Sequence, residues 1–169
     1  MNMKKILLVI TLLILSISTV MAANYPRDLY GDSNYPLIYA HMNGASYLDK
    51  RSVVLKQQNE RNIIFAQNIV YASFKNDMES FNESLVSVSP AHTMWFYKPL
   101  DKNQLGMISM NIDGRHVLLP PYMGDDVAYV SSDNAEHWTP FYISVTIGYN
   151  MGVRNSFLLG YQIATGKSY

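Results

Sequence analysis

The chain has no cysteine in its 169 residues. That excludes disulfide staples, thiolate nucleophiles and cysteine metal ligands, so the fold stands on packing alone. It also excludes a lipid anchor attached through a cysteine behind a leader. An excess of charge of either sign is missing too: 13 basic residues face 13 acidic ones, with no basic patch and no acidic tail. Nucleic acid is therefore not an expected partner. The four histidines, His41, His92, His116 and His137, show neither HExxH nor the i, i+4 pairing of a helical zinc site. His41 and His116 fall on predicted strands, which is too little to make a metal centre.

The catalytic signatures are absent as well. No G-x-S-x-G elbow occurs, and no GxxxxGK[ST] or GxGxxG cradle for phosphates. Asp125 and Asp126 form the best carboxylate cluster, but a calcium site takes about six to eight oxygens. Neighbours on a strand also point to opposite faces, which spoils a glycosidase-type pair. The expectation is a protein without cofactor, metal or catalytic residue.

A long hydrophobic run occurs at the N-terminus. Lys4 and Lys5 precede the nearly unbroken apolar stretch from Ile6 to Ile17, and Val20 and Ala22 place small residues before a cleavage point. Residues 1–22 read as a signal peptide, a helix in the translocating chain, cut between Ala22 and Ala23. An uncleaved anchor needs ~20 apolar residues, and Ser16, Ser18 and Thr19 shorten this run. The expected destination is the periplasm, the cell surface or the medium, with membrane contact only through the leader. Residues 23–169 then make one domain of ordinary size, able to bury a core without staples.

Thirteen tyrosines are conspicuous. Tyrosine suits strands, where the ring packs and the hydroxyl stays wet. Residues 23–34, with Pro26, Gly31 and Asp32, read as a flexible lead-in to a domain over 35–169. Tyr35–Met42 predicts a first strand, and Asn43-Gly44 a turn. Val53 and Leu55 share one strand face. From Asn62 to Phe74, apolar residues occupy both faces: Ile63, Phe65, Ile69 and Tyr71 on one, Ile64, Ala66, Val70, Ala72 and Phe74 on the other. Such a strand is covered on both sides. The charged group Asp49-Lys50-Arg51-Ser52 between these runs reads as a corner, with Asp49 and Ser52 accepting backbone hydrogen bonds.

The pattern Tyr47-x-Asp49-x-x-Ser52-Val53, followed by a long apolar strand, resembles small exported bacterial proteins of the surface-adhesin protein E type. The resemblance covers Tyr47 to about Phe74. It implies a compact α+β or β-rich envelope domain, in some cases adhesive, with Tyr47, Asp49 and Ser52 as fold-defining positions. It carries no binding residue to this chain.

Further on, 76–89 reads as a polar bridge with a short helix at 78–85, and Thr93–Pro99 as a strand. Asp113-Gly114 predicts a two-residue hairpin turn, because both positions favour positive φ. That turn sets Met110 opposite Val117 and Ile108 opposite Leu119. Phe141, Ile143, Val145 and Ile147 alternate as a strand does. Thr139 before Pro140 fits a helix start instead, and both readings of 138–148 stand. Val153, Phe157, Tyr161 and Ala164 mark one face of a C-terminal helix that stops at Gly166 and buries Leu158 as well.

The fold class expected is α+β: an antiparallel sheet of about five to seven strands packed by a C-terminal helix. Trp95, Tyr97, Trp138 and Tyr142 either line a ligand-binding aromatic groove or belong to the core of an aromatic-rich sheet. The function expected is a non-catalytic interaction module for an envelope component or extracellular ligand. The alternatives are a small extracytoplasmic hydrolase, with acidic, histidine and serine side chains converging in a pocket, and a structural subunit that pairs through a sheet edge.

Overall fold

The computed structural model describes residues 25–77 and 82–169. The leader over 1–22 lies outside them, as do residues 78–81 of the expected short helix. The chain is α+β, with these strands: β1 (Leu37–His41), β2 (Gly44–Gln58), β3 (Asn62–Asp77), β4 (Asn82–Val88), β5 (His92–Pro99), β6 (Ile108–Ile112), β7 (Arg115–Leu119), β8 (Val127–Ser131) and β9 (Thr139–Tyr142). The C-terminal helix α1 spans Tyr149–Thr165. Seven strands form one antiparallel sheet in the order β1-β2-β3-β5-β8-β9, with β4 also beside β3; β6 and β7 form a separate hairpin.

β3 organises the sheet. Its first half, from Asn62 to Ile69, pairs with β5, and its second half, from Ala72 to Asp77, pairs with β4. β4 and β5 thus lie end to end along one edge of β3. Residues 82–85, expected within a helix, are strand instead, because the long second half of β3 offers them an open ladder.

The two apolar faces of β3 have different covers. One packs under α1, where Phe65, Ile69, Phe96, Phe141, Val153 and Phe157 meet. The other is covered in two pieces. The β6–β7 hairpin lies over Ile64, Ala66, Trp95 and Tyr97, and the segment 25–35 lies over Tyr47, Val70, Ala72 and Phe74. The expected flexible lead-in is therefore a lid in its latter part. Leu29 is buried, Leu37 N–H donates to the Arg27 carbonyl at 2.8 Å, and the Tyr47 hydroxyl donates to the Pro26 carbonyl at 3.1 Å.

Asp49-Lys50-Arg51-Ser52 is not a corner between strands but a bulge inside β2. Asp49 pairs with Asn68 and Val54 with Ala66, so residues 50–53 stand opposite Gln67 alone. A bulge of this kind strips ladder partners from the facing strand. Ser52 supplies one back: its Oγ accepts from Asn68 N–H at 2.7 Å and donates to the Asp49 carbonyl at 2.6 Å. Asp49 Oδ1 accepts from the backbone N–H of Arg51 at 3.1 Å, folding the bulge over.

The β6–β7 turn has Asp113 at φ 52 and Gly114 at φ 79, and the register sets Met110 opposite Val117 and Ile108 opposite Leu119. The first hairpin turns one residue earlier than expected, at Met42-Asn43, with Gly44 already paired to His41. β9 ends at Tyr142 rather than running on to Ile147. Asp126 stops it: its carbonyl accepts from Ile143 N–H at 2.8 Å, and its carboxylate from Ser144 N–H at 2.8 Å and from the Ser144 hydroxyl. α1 ends where expected, with Gly166 at φ 70 and its N–H on the Gln162 carbonyl. No helix among the described residues is long and apolar enough to cross a membrane.

Candidate functional site

The aromatic candidates do not form a surface. Trp95 is 7% exposed and Tyr97 fully buried. They alternate on a central strand and so share a face, the one that the β6–β7 hairpin covers with Ile112, Val117 and Leu119. The half-buried Trp138 ring packs 5.8 Å from that of Tyr97. Tyr97 donates its hydroxyl to Gln104 Oε1 at 3.1 Å, and burial pushes its phenol up to about 12. Tyr142 lies apart, exposed on the edge strand β9. Of the two readings, Trp95 and Tyr97 sit in the core, because the hairpin folds back onto them, with Trp95 at the margin of that cover.

What the hairpin leaves uncovered is a polar groove. Its covering of the sheet reaches Ala66 and Trp95, and that of the N-terminal segment begins at Val70. Between them opens a cavity of about 320 Å³. Val54 and Ala66 form its apolar base, Ser52 and Thr93 bring hydroxyls, and Trp95 stands in its wall. Lys56 reaches across from β2. Its Nζ lies 5.2 Å from the centroid of the Trp95 ring and donates to Asp113 Oδ2 at the hairpin turn. This bridge ties the separate hairpin to the main sheet and sets a cation over an aromatic face.

Two features of the groove lack an internal explanation. The side chain of Arg115, exposed directly after the turn, makes no hydrogen bond or ion pair within the described residues. The indole N–H of Trp95, which lines the groove, is a donor with no acceptor capacity of its own and is buried without a partner among the described residues. Asn134 completes the rim from the loop after β8, its backbone at φ 58. The groove therefore has donors to spare, and two cations against one carboxylate. Sequence spacing gave no sign of it, since its residues come from β2, β3, β5, the hairpin turn and a loop; Arg115 next to Asp113-Gly114 was the nearest to a local signal.

Among the described residues, acidic and imidazole groups meet in the loop after β8. His137 Nδ1 donates to Asp133 Oδ2 at 2.6 Å, and Asp133 Oδ1 accepts from the Ser131 hydroxyl at 2.6 Å. Asp133, Glu136 and His137 bring ligand atoms within 4.8 Å of one another, all on exposed side chains. The order of the bonds matters. The serine hydroxyl donates its hydrogen bond to the carboxylate and not to the imidazole, so His137 is not placed as a base for that hydroxyl. Both oxygens of Asp133 are spent on shaping the loop, with His137 N–H a further donor at 3.0 Å.

This pair does have a measurable titration. The Asp133 carboxylate beside it raises the imidazole of His137 above its usual value, and the Ser131 and His137 hydrogen bonds hold Asp133 below the usual carboxylate range. The stabilisation from His137 is complete below its unfolded value of about 6.5 and is lost as pH rises through the folded one. That from Asp133 is complete above about 3.9 and is lost as pH falls through its lowered value. NMR titration of the His137 ring should give a midpoint above about 6.5 that returns to it in Asp133→Asn. An unchanged midpoint in that variant would mean the ion pair is not formed in solution.

The remaining candidates are separate and satisfied. Asp125 takes the Tyr122 hydroxyl at 2.8 Å and Lys102 at 3.0 Å, whereas Asp126 serves Ser144. His41 lies on β1 and His116 on the separate hairpin, with no hydrogen bond or ring contact joining them among the described residues. Lys98 is buried at 3% exposure, and desolvation lowers its ammonium below the usual lysine range. Its Nζ donates to the carbonyls of Asp125 and Val127 at 2.7 and 2.9 Å, which fastens the loop before β8. Comparison with protein-family models, with curated proteins and with solved structures finds no match to this chain.

Proposed function

We propose that the chain is an exported, non-catalytic binding module whose ligand sits in the groove between the β6–β7 hairpin and the β2 bulge. The observation that carries this reading is the Arg115 guanidinium, unpartnered among the described residues, on a cavity lined by Trp95, whose buried indole N–H has no acceptor among them either. Folded proteins rarely leave a buried donor unpaired, and a concave site with convergent polar groups on an apolar base is how small ligands are held. The leader pattern over residues 1–22 supports export. The bond order around Asp133 supports binding without turnover, since no nucleophile meets its base there.

A ligand that binds only the folded state at 100 times its Kd stabilises by about 2.7 kcal/mol. A thermal-shift screen of soluble envelope components, sugars and metabolites should therefore yield compounds that raise the melting temperature of the wild type. The shift should vanish in Arg115→Ala/Asn134→Ala, because both side chains are exposed and the double variant should fold normally. Shifts of equal size in the double variant would remove the groove as the site.

A further inference from the structure

Resting on the groove as the binding site, we infer that its ligand is a sugar acid. The lining residues specify this chemistry part by part. Arg115 presents a planar fork of donors with no carboxylate among the described residues to fill it, and Lys56 retains ammonium donors beyond the one given to Asp113. A ligand carboxylate matches both, and the bidentate geometry of a guanidinium favours carboxylate over a neutral hydroxyl.

The rest of the groove suits a ring bearing hydroxyls. Asn134 is exposed on the rim with both a donor and an acceptor, and no other side chain takes either among the described residues. Trp95 lines the same groove, its buried indole N–H is without an acceptor among the described residues, and a ligand hydroxyl that reached it would supply one. Val54, 48% exposed, and Ala66 offer an apolar base for the C–H face of such a ring. The volume, about 320 Å³, is at the small end of ligand sites, the scale of one sugar unit rather than an oligosaccharide. A simple fatty acid would leave the Asn134 amide and the indole unserved. A neutral sugar would leave the guanidinium so.

The test is isothermal titration of the exported protein with glucuronate, and with glucose and acetate as controls. A Trp138→Phe background lets Trp95 fluorescence report the site alone. Glucuronate should bind at least about tenfold more tightly than glucose or acetate and change the Trp95 emission. Arg115→Gln should lose about tenfold or more for glucuronate, leave glucose unchanged and keep the melting temperature of the parent. Equal affinity for glucuronate and glucose, or an Arg115→Gln variant that binds glucuronate as before, would overturn the sugar-acid assignment while leaving the groove a binding site. Absence of heat and of an emission change with all three would also overturn the assignment; the thermal-shift screen then decides separately whether the groove binds anything.

Discussion

Phe157→Ala should cost about 3–5 kcal/mol of unfolding free energy, the range for emptying a buried aromatic site. The ring is fully buried, and it stands at the centre of the helix–sheet interface. Its centroid lies 5.7 Å from that of Phe65, 5.8 Å from Phe96, 5.5 Å from Phe141 and 5.5 Å from Tyr169. These rings come from β3, β5, β9 and the C-terminal residue, so the cavity cannot close by shifting one element. Against a total stability of about 5–15 kcal/mol, the variant should be close to unfolding. Urea titration should show a lower midpoint with an unchanged slope. Ile163→Ala, on the solvent side of α1, should change stability by less than about 1 kcal/mol. Similar losses in the two variants would mean that α1 is not docked through Phe157.

The parts of this fold that could be read from residue order are those governed by one element's own period or turn chemistry. Asp113-Gly114 works this way, since positive φ at two successive positions selects both the turn and its register. Asn62–Phe74 does too, with apolar residues on both faces calling for two covers, and α1 follows from the spacing of Val153, Phe157 and Gly166. Which cover lies on which face is a different kind of information. Nothing local says that the β6–β7 hairpin folds over Trp95, so the same two tryptophans fitted a surface or a core. The bulge at Asp49–Ser52 escaped because corners and bulges use the same short hydrogen-bonding side chains; they differ in whether the next strand pairs with the same neighbour, which only β3 decides. β9 illustrates a pattern overridden by tertiary bonding: Ile147 keeps the strand period yet is 79% exposed, since Asp126 turns the chain after Tyr142. The groove was invisible for the strongest reason, that Lys56, Thr93, Arg115 and Asn134 become neighbours only when the sheet and hairpin have assembled.

Gly160→Ala should destabilise by about 2–5 kcal/mol, the reverse of what helix propensity gives. In an exposed helix interior this change gains about 1 kcal/mol. Here a Cβ would stand 1.8 Å from Gln67 Oε1 and 2.7 Å from Phe65 Cε2. Both side chains are fully buried, so neither has solvent to retreat into. Gln67 is held besides: its Nε2 donates to Ser156 Oγ at 2.5 Å and to the Ser156 carbonyl at 3.0 Å, the polar join between β3 and α1. Its carbonyl oxygen, without a hydrogen-bond donor, occupies the space that glycine leaves. Rotating Gln67 away would strand a buried amide, costing about 1–3 kcal/mol, and pushing the helix outward would loosen Phe157. The two residues are therefore one device, and their substitutions should not add. Gln67→Ala/Gly160→Ala should be more stable than the sum of its singles by at least about 1 kcal/mol, because the first change opens room for the second. Additive losses would place the clash elsewhere, and a rise in melting temperature on Gly160→Ala would show that α1 does not approach β3 as closely as Gln67 and Ser156 require.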